Sequence, residues 1–137
     1  MRVFIDANVI ISVFNREYPL FIYSARILSL GNNDLFELFT SPLCLAIAFY
    51  FSSKKSGQKM AKNKIQSLLE NISLTTIDDS VVRQTADDLR INDFEDGLEY
   101  YSALAKSCNI IVTEDKDDFY FSEIEVLDCS ELLSRHF

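Results

Sequence analysis

The chain has 137 residues, a length that fits one domain, residues 1–137, with a core of its own. Its 48% hydrophobic content, with three glycines, two prolines and no repeat or low-complexity tract, excludes a disordered tail, a linker or a solenoid. A net charge of −8 excludes nucleic-acid binding by bulk basic charge, although a divalent cation at an acidic site would reverse the local field where a phosphate must sit.

The apolar stretch "LCLAIAFYF" at 43–51 falls well short of the roughly 20 residues needed to cross a bilayer. Asp6 breaks the first apolar run at once, so the N-terminus does not read as a signal peptide. The expectation is a soluble, cytoplasmic protein without membrane contact. Cys44, Cys108 and Cys129 are odd in number, far apart and set among apolar residues, and read as small core residues.

In chain order, "RVFID" at 2–6 reads as a buried strand ending on an acid, with "ANVIISVF" as a helix behind it and Asn8 as its candidate cap. Pro19, the spacing of Phe21, Ile22, Ala25 and Leu28, and Gly31 predict a second helix over about 18–30. "LFELFT" at 35–40 is a strand; Ser41 and Pro42 open a helix to about 53. A lysine-rich helix follows Gly57 to about 70, then the strand "ISLTTI" at 72–77 and a helix over 80–90 capped by Asp79 or Ser80.

The segment 93–108 repeats Phe94, Leu98, Tyr101, Leu104 or Ala105 and Cys108 at helical spacing, with Asp93 as a natural cap. "NIIVT" at 109–113 has no polar alternation, as in a strand covered on both faces. "IEVLD" at 124–128 is a last strand, followed by a helical turn or two, with His136 in a frayed tail. Alternating strands and helices imply a three-layer α/β/α fold with a mostly parallel central sheet, whose ligand sites lie outside the carboxyl ends of the strands.

That rule focuses attention on the acids. Asp6 ends the first strand, and Glu114, Asp115, Asp117 and Asp118 follow the strand 109–113. If those strands are neighbours, Asp6, Asp115 and Asp118 meet on one rim, and Asp96 in the first turn of the helix 93–108 is a fourth candidate. Each acid alone has an ordinary structural reading as a turn former, a first-turn acid or a solvated loop. Jointly they suit a hard cation such as Mg²⁺ or Mn²⁺, which takes carboxylate oxygens and keeps several waters.

"VFIDANVII" at 3–11, "TSPLCLAIAFY" at 40–50, "DFEDGLEYYSALA" at 93–105 and "IVTEDKDDF" at 111–119 resemble the ordered motifs of the PIN-domain family, including its VapC-type toxins. The resemblance covers nearly the whole chain. It implies a Rossmann-like α/β/α fold, Mg²⁺- or Mn²⁺-dependent cleavage of RNA, frequent homodimers and, in the toxin branch, a cognate antitoxin. It further implies that Asp6, Asp96 and Asp115 hold the metal, that Asp118 ligates or orients water, and that Asn8 and Thr113 support the site.

One position departs from the pattern. Many active members have Glu where this chain has Ile47, and no residue on the same helix face replaces it. Two functional readings therefore stand: a metal-dependent endoribonuclease, and a degenerate PIN-like module that binds RNA or protein without cutting. A phosphatase using Asp6 as nucleophile is disfavoured, because such enzymes carry a second Asp where this chain has Asn8. Lys54, Lys55, Lys59, Lys62 and Lys64 read as a solvated helix face, or, for Lys54, Lys55 and Lys59, as a phosphate track.

Overall fold

Val3, Phe4 and Ile5 are all fully buried, because the strand they form has a neighbour along each edge and helices over both faces. In the computed structural model, which describes residues 1–137, this strand, β1 (Arg2–Ile5), is central in a five-stranded sheet. The others are β2 (Glu37–Thr40), β3 (Ser73–Leu74), β4 (Ile110–Val112) and β5 (Glu125–Leu127). Their order is β3-β2-β1-β4-β5 and every pairing is parallel. Parallel neighbours need crossovers. These are α1 (Ala7–Phe14), α2 (Phe21–Ser29), α3 (Pro42–Ser56), α4 (Gln58–Leu68), α5 (Asp79–Asp87) and α6 (Phe94–Ala105), and α7 (Cys129–His136) ends the chain.

Alternation along the strands divides the core in two. Val3, Ile5, Leu38, Ile110 and Val112 pack with Val9, Ile10 and Phe14 of α1, Ile27 of α2 and Leu132 and Leu133 of α7. Phe4, Phe39 and Ile111 point the other way, onto Tyr100 and Ala103 of α6 and onto Phe119 and Phe121. The expected α/β/α layering follows from this two-sided burial. α3 packs against α1 and α4, and α5 against α6.

Several boundaries differ from expectation for local reasons. Asp6 itself, not Asn8, caps α1, because its carboxylate accepts from the Ala7 amide. Asp78 caps α5 in place of Asp79 or Ser80, accepting from Val81 N. Pro19 lies in a turn ahead of α2, which begins at Phe21. β3 keeps only two residues of the expected 72–77, since it is an edge strand paired with β2 alone. α7 has the expected two turns and opens on a capping box of Asp128 and Glu131, but His136 is its last residue and meets Phe36 edge-on at 5.5 Å, where a frayed tail was expected.

The largest correction concerns α6. Phe94 and Leu104 of the expected apolar face are 45% and 42% exposed, and the buried face carries Asp96, Gly97, Glu99, Tyr100, Ser102 and Ala103. The helix is rotated so that Gly97 meets α5. A Cβ there would stand 2.5 Å from Thr85 Cγ2 and 3.0 Å from Ile91 Cδ1, so only the missing side chain permits the approach. Gly97→Val is expected to lower stability by roughly 1–3 kcal/mol through overpacking, read as a reduced urea midpoint; an unchanged midpoint would show that α5 gives way freely.

Candidate metal centre

From β1 the chain builds outward through β2 to β3, then returns to lay β4 on the opposite edge of β1. Between the carboxyl ends of β1 and β4 the crossovers diverge and leave a crevice. The register pairs Ile5 with Val112, and Asp6 N donates to Val112 O at 3.0 Å, so Asp6 and Thr113 leave the sheet side by side.

Asp6 is 8% exposed and both its oxygens are engaged. Oδ1 accepts from Ala7 N at 2.7 Å; Oδ2 accepts from Thr113 Oγ1 at 2.8 Å and from Asn8 Nδ2 at 3.3 Å. The same Asn8 amide reaches Asp115 Oδ2 at 3.2 Å, while Asn8 Oδ1 accepts from Glu114 N at 3.2 Å. Thr113 Oγ1 also accepts from Asp115 N at 3.1 Å. Asn8 and Thr113 thus tie Asp115 to Asp6 across the strand ends.

α6 delivers the other acids. Asp93 caps it by accepting from Glu95 N, and one helical face carries Asp96, 8% exposed, and Glu99, fully buried. Ligand atoms of Asp6, Cys44 and Glu99 lie within 4.8 Å of one another, as do those of Glu95, Asp96 and Glu99. Glu99 is the shared member of the two groups. Cys44 Sγ, in the first turn of α3, donates to Glu99 Oε1, whereas Glu99 Oε2 has no partner.

The acidic run after β4 is divided in its uses. Glu114 accepts from Cys129 N at 2.9 Å at the start of α7, and Lys116 pairs with Glu131 at 2.7 Å. Asp118 is exposed on the 3₁₀ turn Lys116–Phe119, its amide donating to Asp115 O at 3.0 Å. None of the ion pairs brings a basic side chain to Asp6, Asp96, Glu99, Asp115 or Asp118.

Burial without a countercharge raises proton affinities. Asp96 is pushed up to about 7, first by desolvation and then by Asp93, Asp118, Asp6 and Glu95. Glu99 rises to about 10, first by desolvation and then by Asp6. Asp118 and Glu95 are raised by desolvation and by neighbouring acids. The Cys44 thiol is pushed well above its ordinary value by burial and by Glu99, which keeps it a neutral donor and a poor ligand. The remaining donor set is carboxylate oxygen with one orphaned buried oxygen, which fits a hard divalent cation.

Glu99 is the residue that sequence reasoning missed. Its signal was an acid three residues after Asp96 on a helix whose true inner face also holds Tyr100 and Ala103. Ile47 is half-buried in the second core cluster and borders a groove with Tyr50, Phe51 and Glu95. The lysines lie elsewhere. Lys55 and Lys64 donate to the carbonyls of Asn15 and Phe14 at the far end of α1, Lys54 sits 4.4 Å over the Tyr50 ring, and Lys59 is exposed.

The chain resembles known proteins in sequence and fold. The curated "Ribonuclease VapC1" of Aquifex aeolicus is 28% identical over 137 residues, covering 98% of this chain and 94% of that protein. The VapBC2 complex of Rickettsia felis, solved with a promoter DNA fragment, superposes with a TM-score of 0.71 at 16% identity, covering 93% of this chain and 98% of that one. VapC20 of Mycobacterium tuberculosis, described as a sarcin-ricin-loop-cleaving toxin, gives 0.67 at 15% identity over 85% of this chain and 92% of that one. At such identities the superpositions establish the fold. The PIN-domain profile matches residues 2–117, which takes in Asp6, Asp96 and Asp115, and the chain belongs to the PIN-domain family.

Proposed function

We propose that this chain is a divalent-metal-dependent endoribonuclease and the toxin of a toxin–antitoxin pair, acting in the cytoplasm. One observation carries the reading: Asp6 and Asp96 are gathered with Glu99, and Asp115 is tied to Asp6, on a rim that no basic side chain neutralises. Likeness to a ribonuclease named VapC1 and to a VapBC complex supports RNA as substrate and an antitoxin as partner. No helix is long and apolar enough to cross a membrane. Family resemblance adds a homodimer.

Asp6, Asp96 and Asp115 would hold Mg²⁺ or Mn²⁺, which when bound neutralises phosphate charge and lowers the proton affinity of a water. The chain's own contribution is to fix the acids. Thr113 and Asn8 lock the Asp6 carboxylate in one orientation, and Asn8 keeps Asp115 beside it. Asp118, exposed at the same edge, would orient the attacking water or take its proton. Tyr50 and Phe51, with ring centroids 5.2 Å apart and Lys54 over Tyr50, offer unpaired bases a stacking surface beside Glu95. The rival reading, a module that binds without cutting, draws on Ile47.

Asp6→Asn is the sharpest activity test, because asparagine caps a helix as well as aspartate does. Cleavage of a labelled RNA in Mn²⁺ is expected to fall at least about 100-fold, and EDTA should abolish it in the parent protein. Cleavage indifferent to both would sink the mechanism.

Protonation supplies a second test. Asp96 and Glu99 hold protons more tightly when folded than when unfolded. Well below pH 4 both states are protonated, so no penalty exists; it grows as the unfolded carboxylates ionise, for Asp96 until the pH reaches about 7 and for Glu99 until it reaches about 10. The Tm of metal-free protein should fall by several degrees from pH 5 to pH 8, and Mn²⁺ should recover most of the loss at pH 8. A Tm that rises over this interval, or ignores Mn²⁺, contradicts the reading.

A further inference from the structure

We infer that Glu99 is a direct ligand of the divalent cation, supplying from α6 the carboxylate that Ile47 does not supply from α3. The inference rests on the metal-dependent reading above and adds to it a residue and a change of helix.

Glu99 is fully buried, yet its Oε2 has no hydrogen-bond partner. An unmatched carboxylate oxygen in a protein interior is destabilising, so a structural role would normally bring it a donor. Its other oxygen has one, the Cys44 thiol, which leaves Oε2 for something else. Its ligand atom joins those of Asp6 and Cys44 in one group and those of Asp96 and Glu95 in another, each spanning at most 4.8 Å. Glu99 therefore bridges the acid of β1 and the acid of α6.

The relation to α3 is geometric. Cys44 and Ile47 stand one turn apart on α3, and both pack in the second core cluster with Ala7 and Tyr100. A carboxylate at position 47 would approach the acids from this face. In this chain the face is apolar at Ile47 and carries a thiol at Cys44, and that thiol grips a carboxylate arriving from the opposite helix. Asp96 and Glu99, three residues apart, share one side of α6. A single helix thus brings two ligands, and Gly97 between them lets that helix lie close to Thr85 and Ile91.

Isothermal titration of the full-length protein with MnCl₂ tests the assignment independently of RNA cleavage. Glu99→Gln, nearly isosteric, should weaken Mn²⁺ binding at least tenfold while leaving the far-UV spectrum unchanged. Adding Ile47→Glu to Glu99→Gln should recover most of that loss. If Glu99→Gln binds as the parent does while Asp6→Asn and Asp96→Asn lose binding, the inference falls and the metal site stands. If the parent binds no Mn²⁺, the metal-dependent reading falls and takes the inference with it. Should Glu99→Gln fail to fold, Glu99→Asp, one methylene shorter, carries the same test, and parent-like affinity there overturns the assignment.

Discussion

Carboxylates withdrawn from water repel one another unless something positive lies between them, and the rim between β1 and β4 assembles several with no basic side chain in reach. That unresolved repulsion organises the rest of the structure. The register of β1 against β4 sets Asp6 beside Thr113; Asn8, the second residue of α1, holds Asp6 and Asp115 with a single amide. Each support is a neutral donor. A lysine or arginine in the same place would satisfy the acids permanently and leave no affinity for a cation.

Holding such groups together requires a scaffold that does not yield. Asp88 binds Arg90 through two side-chain contacts and accepts from Tyr101 of α6 at 2.7 Å, which holds its carboxyl well below the usual range. The Tyr120 hydroxyl donates to the carbonyl of Arg90. The segment leading into Asp93 and Asp96 is thereby fastened to α6 and to the loop after β4. Gly97 adds close packing against α5. Rigidity here is electrostatic in purpose, since a mobile α6 could relieve the repulsion simply by swinging Asp96 into water.

The sheet and the order of its elements were readable in the sequence because apolar runs such as Val3–Ile5 and Ile110–Val112 are buried on both sides and ended by polar residues. Asp6 could be placed by the rule that ligands gather at the carboxyl ends of parallel strands. Asp115 was separated from Glu114 only by the family motif, as both follow the same strand; Glu114 turns to the Cys129 amide, a matter of where α7 begins. Glu99 was hidden by amphipathicity itself. The spacing of Phe94, Leu98, Tyr101 and Leu104 is helical, but a small residue, Gly97, together with the packing of α5, rotates the inner face toward Glu99 and Tyr100. An apolar periodicity reports a helix more reliably than it reports which stripe faces inward.

Charge distribution then constrains how a polyanion reaches this rim. Arg2, Arg83, Arg90, Lys116 and Arg135 are paired with acids, and Lys55 and Lys64 sit on the carbonyls at the end of α1, where a helix dipole favours cations. With a net charge of −8 and these side chains committed, the bare rim repels phosphate. Lys54 lies near the end of the fifteen-residue α3, roughly 20 Å along the helix from its start at the rim, so it can attract a chain but cannot neutralise the acids. Affinity for a polyanion at the rim must therefore depend on prior neutralisation of the acids themselves, which makes their crowding a gate on its approach as well as a source of strain in the fold.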